Sequence, residues 1–262
     1  MNILDFGKRK KEGHKISMIT CYDHWSAQII EGSKIDCVLV GDSVSMVVHG
    51  FPSTVHATVD MMVTHTEAVA RGLKTKFLVG DMPFLSYRKG VAPTLEAAGR
   101  LMRAGAHAIK LEGVWGHEDS IQALVQSGIP VMGHVGLTPQ SVFQFGGFKV
   151  QGQDRSTAID LIKQVEKLQE LGCFSIVAEC VPSQLGSEMS KAVDVPVIGI
   201  GAGHHVDGQV LVLQDLLGMN EGFKPKFLRR FLDGNVLLRE ALDSFHQEVN
   251  EVTFPLPQES YQ

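Results

Sequence analysis

The sequence predicts an α/β protein, a (β/α)8 TIM barrel with an extra N-terminal helix. Short apolar runs alternate with helical patterns along 262 residues, a length typical of this barrel. Most of the runs are rich in β-branched residues and do not alternate with polar ones, as expected for parallel strands buried on both faces. No Ser/Gly linker or low-complexity segment divides the chain, so we expect residues 1–262 to form a single barrel domain.

The predicted strands number eight, as a (β/α)8 barrel requires. An open, doubly wound sheet is the alternative, but it would usually have fewer strands and a phosphate loop after the first one. The first run here ends in TCYDHW, which has no such glycines, so the barrel is favoured. The strands are predicted at residues 17–20, 36–41, 76–80, 106–112, 130–134, 173–179, 196–200 and 210–214.

Helical periodicity lies between these runs. The extra helix is predicted over residues 3–11, before the first strand. Thr58 is a predicted N-cap, followed by apolar residues at helical spacing. Further helices are predicted from Pro93 to near Gly105 and over 159–168, and a C-terminal helical pattern over 227–249 is divided by the sequence DGN.

Composition restricts the classes of function. Hydrophobic residues make up 44% of the chain and charged residues 20%, which is typical of soluble globular proteins. The net charge of −5 disfavours nucleic-acid binding, and no apolar run reaches the roughly 18–20 residues of a membrane span. The four cysteines form no CxxC pair, which favours a reducing compartment without zinc. We therefore expect a cytoplasmic protein that acts on small molecules.

Charged residues follow several of the predicted strands. Asp42 and Asp81 follow the runs VLVG and FLVG, Lys110 and Glu112 share one face of the fourth strand, and Glu179 ends the sixth. Active sites of (β/α)8 barrels lie at the C-terminal ends of the strands, so we expect these side chains to converge at one mouth. An Asp in this position also commonly caps the next helix, and capping remains an alternative for Asp42 and Asp81.

A cluster of acids needs compensation. Neighbouring carboxylates repel one another when buried, and one lysine does not neutralise three of them. A hard divalent cation is the simplest solution, and oxygen ligands without cysteine indicate Mg²⁺ or Mn²⁺ rather than zinc.

Two further motifs are less specific. His134 ends the fifth strand, where a structural role and a substrate-facing role are both open. The sequence GIGAGHH at 199–205 lacks the G-x-G-x-x-G spacing of a dinucleotide loop, so a close-packed loop near the mouth is the preferred interpretation.

A set of motifs resembles a known family. From about Ser17 to beyond Asp215 the chain closely resembles the ketopantoate hydroxymethyltransferase family. The motifs, in order, are LVGDS at 39–43, GDMPF at 80–84, RAGAHAIKLEG at 103–113, GHVGLTPQS at 133–141, GGFKVQG at 146–152, ECVP at 179–182 and VIGIGAG at 197–203.

The resemblance implies a Mg²⁺-dependent (β/α)8 enzyme of pantothenate biosynthesis. Such an enzyme transfers a hydroxymethyl group from 5,10-methylenetetrahydrofolate to 3-methyl-2-oxobutanoate, giving 2-dehydropantoate. The resemblance also implies a homo-oligomer, usually a ring of ten subunits.

Site residues carry over by motif position. The metal site, with one Mg²⁺ per subunit, corresponds to Asp42, Asp81 and Glu112. The residues that bind the keto acid correspond to Asp42, Ser43, Asp81 and Lys110. Glu179 corresponds to the proton acceptor, and His134 is added as a further candidate for substrate binding.

The chain departs from the family pattern at two positions. The family often reads GDSLGM where Ser45 here replaces the glycine, and Val114 stands where a second glycine commonly follows Glu-Gly. Neither change removes a chemical group from the predicted site, so we expect activity to be retained.

Two rival functions remain. Another Mg²⁺-dependent 2-oxo-acid barrel, of the isocitrate lyase or phosphoenolpyruvate mutase kind, typically carries a catalytic Cys after strand four or five. The sequences GVWGHEDS and GHVGLTPQS contain none. A non-catalytic ligand-binding barrel would not need a base at Glu179. Both rivals predict no solvent exchange of the C3 proton of 3-methyl-2-oxobutanoate.

Overall fold

The strands close into a barrel in a computed structural model that describes residues 1–222 and 224–261. All eight predicted strands are present, and they pair in parallel in chain order, with β1 next to β8. The (β/α)8 prediction is therefore confirmed over the open sheet, which would leave two unpaired edges. The strands are β1 Ile16–Thr20, β2 Cys37–Val40, β3 Phe77–Asp81, β4 Ala108–Lys110, β5 Val131–Gly136, β6 Ser175–Glu179, β7 Val197–Ile200 and β8 Gly208–Leu211.

Helices lie between the strands, and the extra N-terminal helix is confirmed as α1. Thr58 caps the helix that follows it, because its hydroxyl accepts a hydrogen bond from the backbone N of Met61 at 3.2 Å. The helices are α1 Ile3–Lys11, α2 His24–Glu31, α3 Val44–Val47, α4 Val59–Gly72, α5 Val91–Arg103, α6 Glu118–Gln126, α7 Val142–Phe145, α8 Arg155–Glu170, α9 Ser183–Ala192, α10 Leu213–Leu216 and α11 Gly234–Asn250.

The C-terminal helical pattern was predicted too long. Helix α11 begins only at Gly234, and residues 224–233 form turns and irregular backbone. Phe227 and Phe231, four positions apart, are too few to define a helical period. Pro225 also lacks the N–H that a helix interior needs.

The chain divides into two compact units, Met1–Val212 and Leu213–Gln262. The first contains the barrel, and the second contains α10, α11 and a 3-10 turn at Pro257–Glu259. The single domain over 1–262 stays a prediction. None of the helices in the described part of the chain is long and apolar enough to cross a bilayer.

Helix α1 closes the N-terminal end of the barrel. The Phe6 ring is fully buried, and its centroid lies 5.3 Å from that of Phe77 and 4.9 Å from that of Phe174. Burying such a side chain is worth roughly 1.5–3 kcal/mol. Arg9 adds an ion pair to Asp36, directly before β2, at 2.7 Å. This end of the barrel is therefore filled, which leaves the opposite end for chemistry.

The glycine-rich loop after β7 packs closely, as the sequence predicted. A Cβ atom at Gly203, where φ is +80°, would lie 2.0 Å from Ser183 Oγ at the start of α9. A Cβ at Gly186 would lie 2.3 Å from the carbonyl oxygen of Ala202. The glycines thus let the loop and α9 approach each other.

Substitution of two glycines can test how tightly the helices pack around the barrel. Gly90 and Gly105 both have positive φ, +95° and +108°, but only a Cβ at Gly105 would meet another atom, Ala70 Cβ at 2.6 Å. We expect Gly90→Ala to cost on the order of 1–3 kcal/mol from backbone strain. Gly105→Ala should cost about 1–3 kcal/mol more, because α4 must shift. Urea unfolding of both variants measures this, and equal losses would contradict the packing argument.

Candidate active site

The candidate site continues the rows of side chains that fill the barrel interior. In β3 to β6, the residue two positions beyond a core residue is polar, and side chains two apart share a face of the strand. The pairs, core residue first, are Val79 and Asp81, Ala108 and Lys110, Met132 and His134, and Val177 and Glu179. The topmost interior layer of four neighbouring strands is therefore charged or titratable.

Lys110 and Asp81 form a buried ion pair. They are register partners on adjacent strands, and Lys110 Nζ lies 2.8 Å from Asp81 Oδ1 with both side chains almost fully buried. Burial by itself would lower the pKa of Lys110, but the carboxylates of Asp81, Glu112 and Asp42 outweigh it and raise that pKa. Lys110 therefore carries a fixed positive charge.

His134 lies between two carboxylates. Its Nδ1 is 3.5 Å from Glu112 Oε1 and its Nε2 is 3.2 Å from Glu179 Oε2. Neither contact is a hydrogen bond, so both are ion pairs when the ring is protonated. Burial and Lys110 lower the pKa of His134, but Glu112 and Glu179 overcome both and raise it to about 9. The two carboxylates therefore favour the protonated ring.

Asp42 and Glu112 are joined by a residue that the sequence analysis missed. Gln140, in a 3-10 turn after β5, donates from Nε2 to Asp42 Oδ2 at 2.9 Å and from its backbone N to Glu112 Oε2 at 3.0 Å. Tyr87, also missed, donates its hydroxyl to Gln140 Oε1 at 2.7 Å. A glutamine in a turn has no charge or ligand spacing that would single it out, although it lies within the motif GHVGLTPQS.

Helix capping does not account for the two aspartates. Asp42 Oδ2 accepts from Gln140, and Asp81 Oδ2 accepts from the backbone N of Asp42 at 3.2 Å. Ser43, the N-cap of α3, makes no side-chain cap either, and its Oγ lies 2.8 Å from the Tyr22 hydroxyl. The side-chain oxygens of these residues therefore contact other groups at the mouth and do not cap a helix.

The chemistry of the acids fits a hard cation. Burial raises the pKa of Asp42 most, and Asp81 and Glu112 raise it further. Burial also raises the pKa of Asp81, although the positive charge of Lys110 lowers it. The buried Glu112 Oε1 accepts no hydrogen bond from any described residue, whereas Asp81 Oδ1 is paired with Lys110. A divalent cation would relieve this repulsion and could bind Glu112 Oε1.

The site does not form a complete cation cage by itself. Among the residues that the structure describes, no three His, Cys, Asp or Glu side chains are grouped closely enough to hold a metal ion. Mg²⁺ in enzymes is usually held by one or two carboxylates, with waters and substrate oxygens completing the octahedron. The arrangement is compatible with that open kind of site.

The structure gathers the residues that the sequence predicted at the C-terminal mouth. Lys110 contacts Asp81, and His134 contacts Glu112 and Glu179. Gln140 connects this cluster to Asp42. The individual roles of these residues in metal binding, substrate binding and proton transfer stay predictions.

Sequence comparisons place this geometry in a family. A family model described as ketopantoate hydroxymethyltransferase matches residues 1–257. The chain is 54% identical over 256 residues to the 3-methyl-2-oxobutanoate hydroxymethyltransferase of Coxiella burnetii, covering 97% of this chain and 96% of that protein. It is 53% identical over 259 residues to the protein of the same name from Bdellovibrio bacteriovorus, covering 99% and 98%.

Solved structures share the fold at much lower identity. Phosphonopyruvate hydrolase, in complex with oxalate and Mg²⁺, matches with a TM-score of 0.62 at 10% identity, covering 99% of this chain and 93% of that one. The 2,3-dimethylmalate lyase of the PEP mutase/isocitrate lyase superfamily matches with a TM-score of 0.57 at 11% identity, covering 99% and 91%. These likenesses establish the barrel alone. The family model and the sequence relatives extend over nearly the whole chain, and the chain therefore belongs to the ketopantoate hydroxymethyltransferase family of transferases.

Proposed function

We propose that the chain transfers a hydroxymethyl group from 5,10-methylenetetrahydrofolate to 3-methyl-2-oxobutanoate, with Mg²⁺, giving 2-dehydropantoate for pantothenate biosynthesis. The observation that carries the proposal is the buried charged layer, in which carboxylates outnumber the cations Lys110 and His134. Such a layer suits a divalent cation together with a small anionic substrate. Membership of the family supports the choice of substrate.

The metal would be held by carboxylates at the mouth. Asp42, Asp81 and Glu112 would supply the ligands for one Mg²⁺ per subunit. Bound there, Mg²⁺ would act as a Lewis acid toward the ketone oxygen of the 2-oxo acid.

The keto acid would be held by cationic and polar groups beside the metal ligands. Lys110 Nζ supplies a fixed positive charge for the carboxylate or for the oxygen that becomes negative. Ser43 Oγ can donate a hydrogen bond, and the protonated His134 ring can donate from either nitrogen. Asp42 and Asp81 complete the proposed binding set.

Glu179 would be the general base. Its side chain is 18% exposed, against 3% for His134, so among the titratable groups of this cluster it is the one open to an incoming substrate. Its Oε atom would take the C3 proton, and the C–H electron pair would pass toward the ketone oxygen. C3 would then attack the methylene carbon of the folate as one of its two C–N bonds breaks. Water would displace the second nitrogen, which supplies the hydroxyl oxygen and releases tetrahydrofolate.

The cellular context is part of the same proposal. We propose a cytoplasmic enzyme that binds small molecules and neither nucleic acid nor membrane, in line with its net charge of −5. We also propose a homo-oligomer, a decamer by family resemblance. Large exposed apolar side chains on α2, Trp25 at 62% and Ile29 at 63%, are consistent with a surface covered by another subunit.

Removing one proposed metal ligand should abolish tight Mg²⁺ binding. Asp42→Asn removes a charged oxygen, and we expect Mg²⁺ affinity to fall by at least about 10–100-fold, the range seen for loss of outer-shell support. Isothermal titration calorimetry with Mg²⁺ and keto acid measures it. Asp36→Asn is the matched control, because Asp36 lies at the other end of β2, paired with Arg9. Parental Mg²⁺ affinity in Asp42→Asn would place the metal elsewhere.

Glu179→Gln should separate binding from chemistry. The variant keeps the size and hydrogen-bonding capacity of the side chain but cannot accept the C3 proton. We expect Mg²⁺ and keto acid to bind, while C3 proton exchange and hydroxymethyl transfer both fall by roughly 10²–10⁴-fold. NMR measures the exchange at saturating Mg²⁺ and keto acid without folate.

The exposed Glu188→Gln on α9 serves as the control for this experiment, with parental exchange expected. If Glu179 only balances positive charge, Glu179→Gln would change keto-acid affinity and leave the exchange rate at saturation near the parental value. That result would remove Glu179 from the catalytic role.

A further inference from the structure

We infer that Gln140, held in place by Tyr87, is a positioning residue that orients Asp42 and Glu112 for the cation. The inference rests on the proposed function in taking these two carboxylates as metal ligands. Gln140 lies in the 3-10 turn Pro139–Ser141 that follows β5, and it is 5% exposed. No charge or ligand pattern in the sequence marks this residue.

Each polar atom of the Gln140 side chain is engaged. Nε2 donates to Asp42 Oδ2 and to the carbonyl oxygen of Met82, both at 2.9 Å. Oε1 accepts from the Tyr87 hydroxyl at 2.7 Å, and the backbone N donates to Glu112 Oε2 at 3.0 Å. One residue after β5 is therefore bonded to the segments that follow β2, β3 and β4.

The chemistry of these partners determines the orientation of the amide. A carboxylate oxygen and a backbone carbonyl can only accept, so the NH₂ group must face Asp42 and Met82. A reversed amide would turn Oε1 toward these two acceptors and lose both hydrogen bonds. The Tyr87 hydroxyl then donates to the remaining oxygen. Tyr87 thus supports the amide orientation that Asp42 and Met82 require.

The hydrogen bonds leave oxygen atoms available to a cation. In Glu112, Oε2 is fixed by the Gln140 backbone, whereas the buried Oε1 accepts no hydrogen bond from any residue in the described ranges and has His134 Nδ1 at 3.5 Å. In Asp42, Gln140 engages Oδ2. A carboxylate held through one oxygen keeps its orientation while the other oxygen can bind a metal, as is usual for ligating carboxylates.

Tyr87 is itself rigidly placed. It is 1% exposed, its ring centroid lies 5.2 Å from that of His117, and the Arg88 guanidinium lies 5.5 Å above the ring. The hydroxyl also accepts from the backbone N of Glu112 at 3.3 Å. In the described ranges the Tyr87 hydroxyl is linked to the two carboxylates through Gln140 and this backbone contact. Removing the hydroxyl therefore tests these hydrogen bonds without removing a proposed metal ligand.

Mg²⁺ affinity, measured by calorimetry on the full chain without substrates, tests the inference. Gln140→Met keeps the length of the side chain but removes the donor, and we expect affinity to fall by about 10–100-fold. Tyr87→Phe should weaken it by about 2–10-fold, the range for one hydrogen bond. Because Tyr87 reaches Asp42 through the Gln140 side chain, the fold-loss in the double variant should be smaller than the product of the two single losses.

A matched control removes the same kind of bond elsewhere. Gln164 Nε2 donates to Asp160 Oδ2 at 2.7 Å on the exposed face of α8, so Gln164→Met should leave Mg²⁺ affinity unchanged. Thermal unfolding of each variant reports any structural loss separately. If Gln140→Met does not fold, Tyr87→Phe and its affinity decide the question.

These measurements distinguish failure of the positioning role from failure of the proposed metal site. A wild-type chain that binds no Mg²⁺ would overturn the metal site itself. A wild-type chain that binds Mg²⁺, with parental affinity in Gln140→Met and Tyr87→Phe, would overturn only the positioning role. Lower stability of these variants with unchanged Mg²⁺ affinity would mean that Gln140 is merely structural, and would also overturn it.

Discussion

The placement of charge in the last interior layer of the barrel is the constraint on which the rest of the site depends. The rows that begin with apolar side chains in β3, β4, β5 and β6 end in Asp81, Lys110, His134 and Glu179. Burying an uncompensated ion costs several kcal/mol even after relaxation. The fold must therefore provide partners within the same layer, and the register of parallel neighbours does so, with Asp81 directly opposite Lys110.

The apolar layers below this site stabilise the barrel despite the buried charges at its mouth. Phe6 of α1 fills the opposite end of the barrel together with Phe77 and Phe174. The strands thus carry a closed apolar core at one end and a polar mouth at the other. This division lets the mouth concentrate mutually repelling carboxylates, because the stability of the barrel comes from layers that contain no charge.

Much of this arrangement can be predicted from the sequence because it is local and periodic. Strands buried on both faces appear as continuous apolar runs, and active sites of (β/α)8 barrels lie at the C-terminal ends of the strands. Asp81, Lys110 and Glu179 are predicted at the mouth because each ends or follows such a run. The resemblance to the ketopantoate hydroxymethyltransferase family added roles that the pattern alone could not assign.

The remaining features depend on contacts between distant segments. Gln140 acquires its importance from Asp42, 98 positions away, and from Tyr87, 53 positions away, and no local pattern carries that information. The prediction of helix at Phe227 and Phe231 was wrong for a different reason, because it relied too much on a local pattern. Two apolar residues at helical spacing were interpreted as a period, although Pro225 nearby lacks a backbone donor.

The choice of a neutral amide at position 140 follows from the charge balance of the layer. Asp42, Asp81, Glu112 and Glu179 face Lys110 and His134, so carboxyl groups outnumber the basic groups in the layer. A second lysine in place of Gln140 would neutralise Asp42 and compete with a cation for its oxygen. A glutamine orients the same carboxylate by hydrogen bonding and leaves its charge in place. The carboxylate then stays available to a cation, so neutrality at position 140 is as much a part of the site as the charges around it.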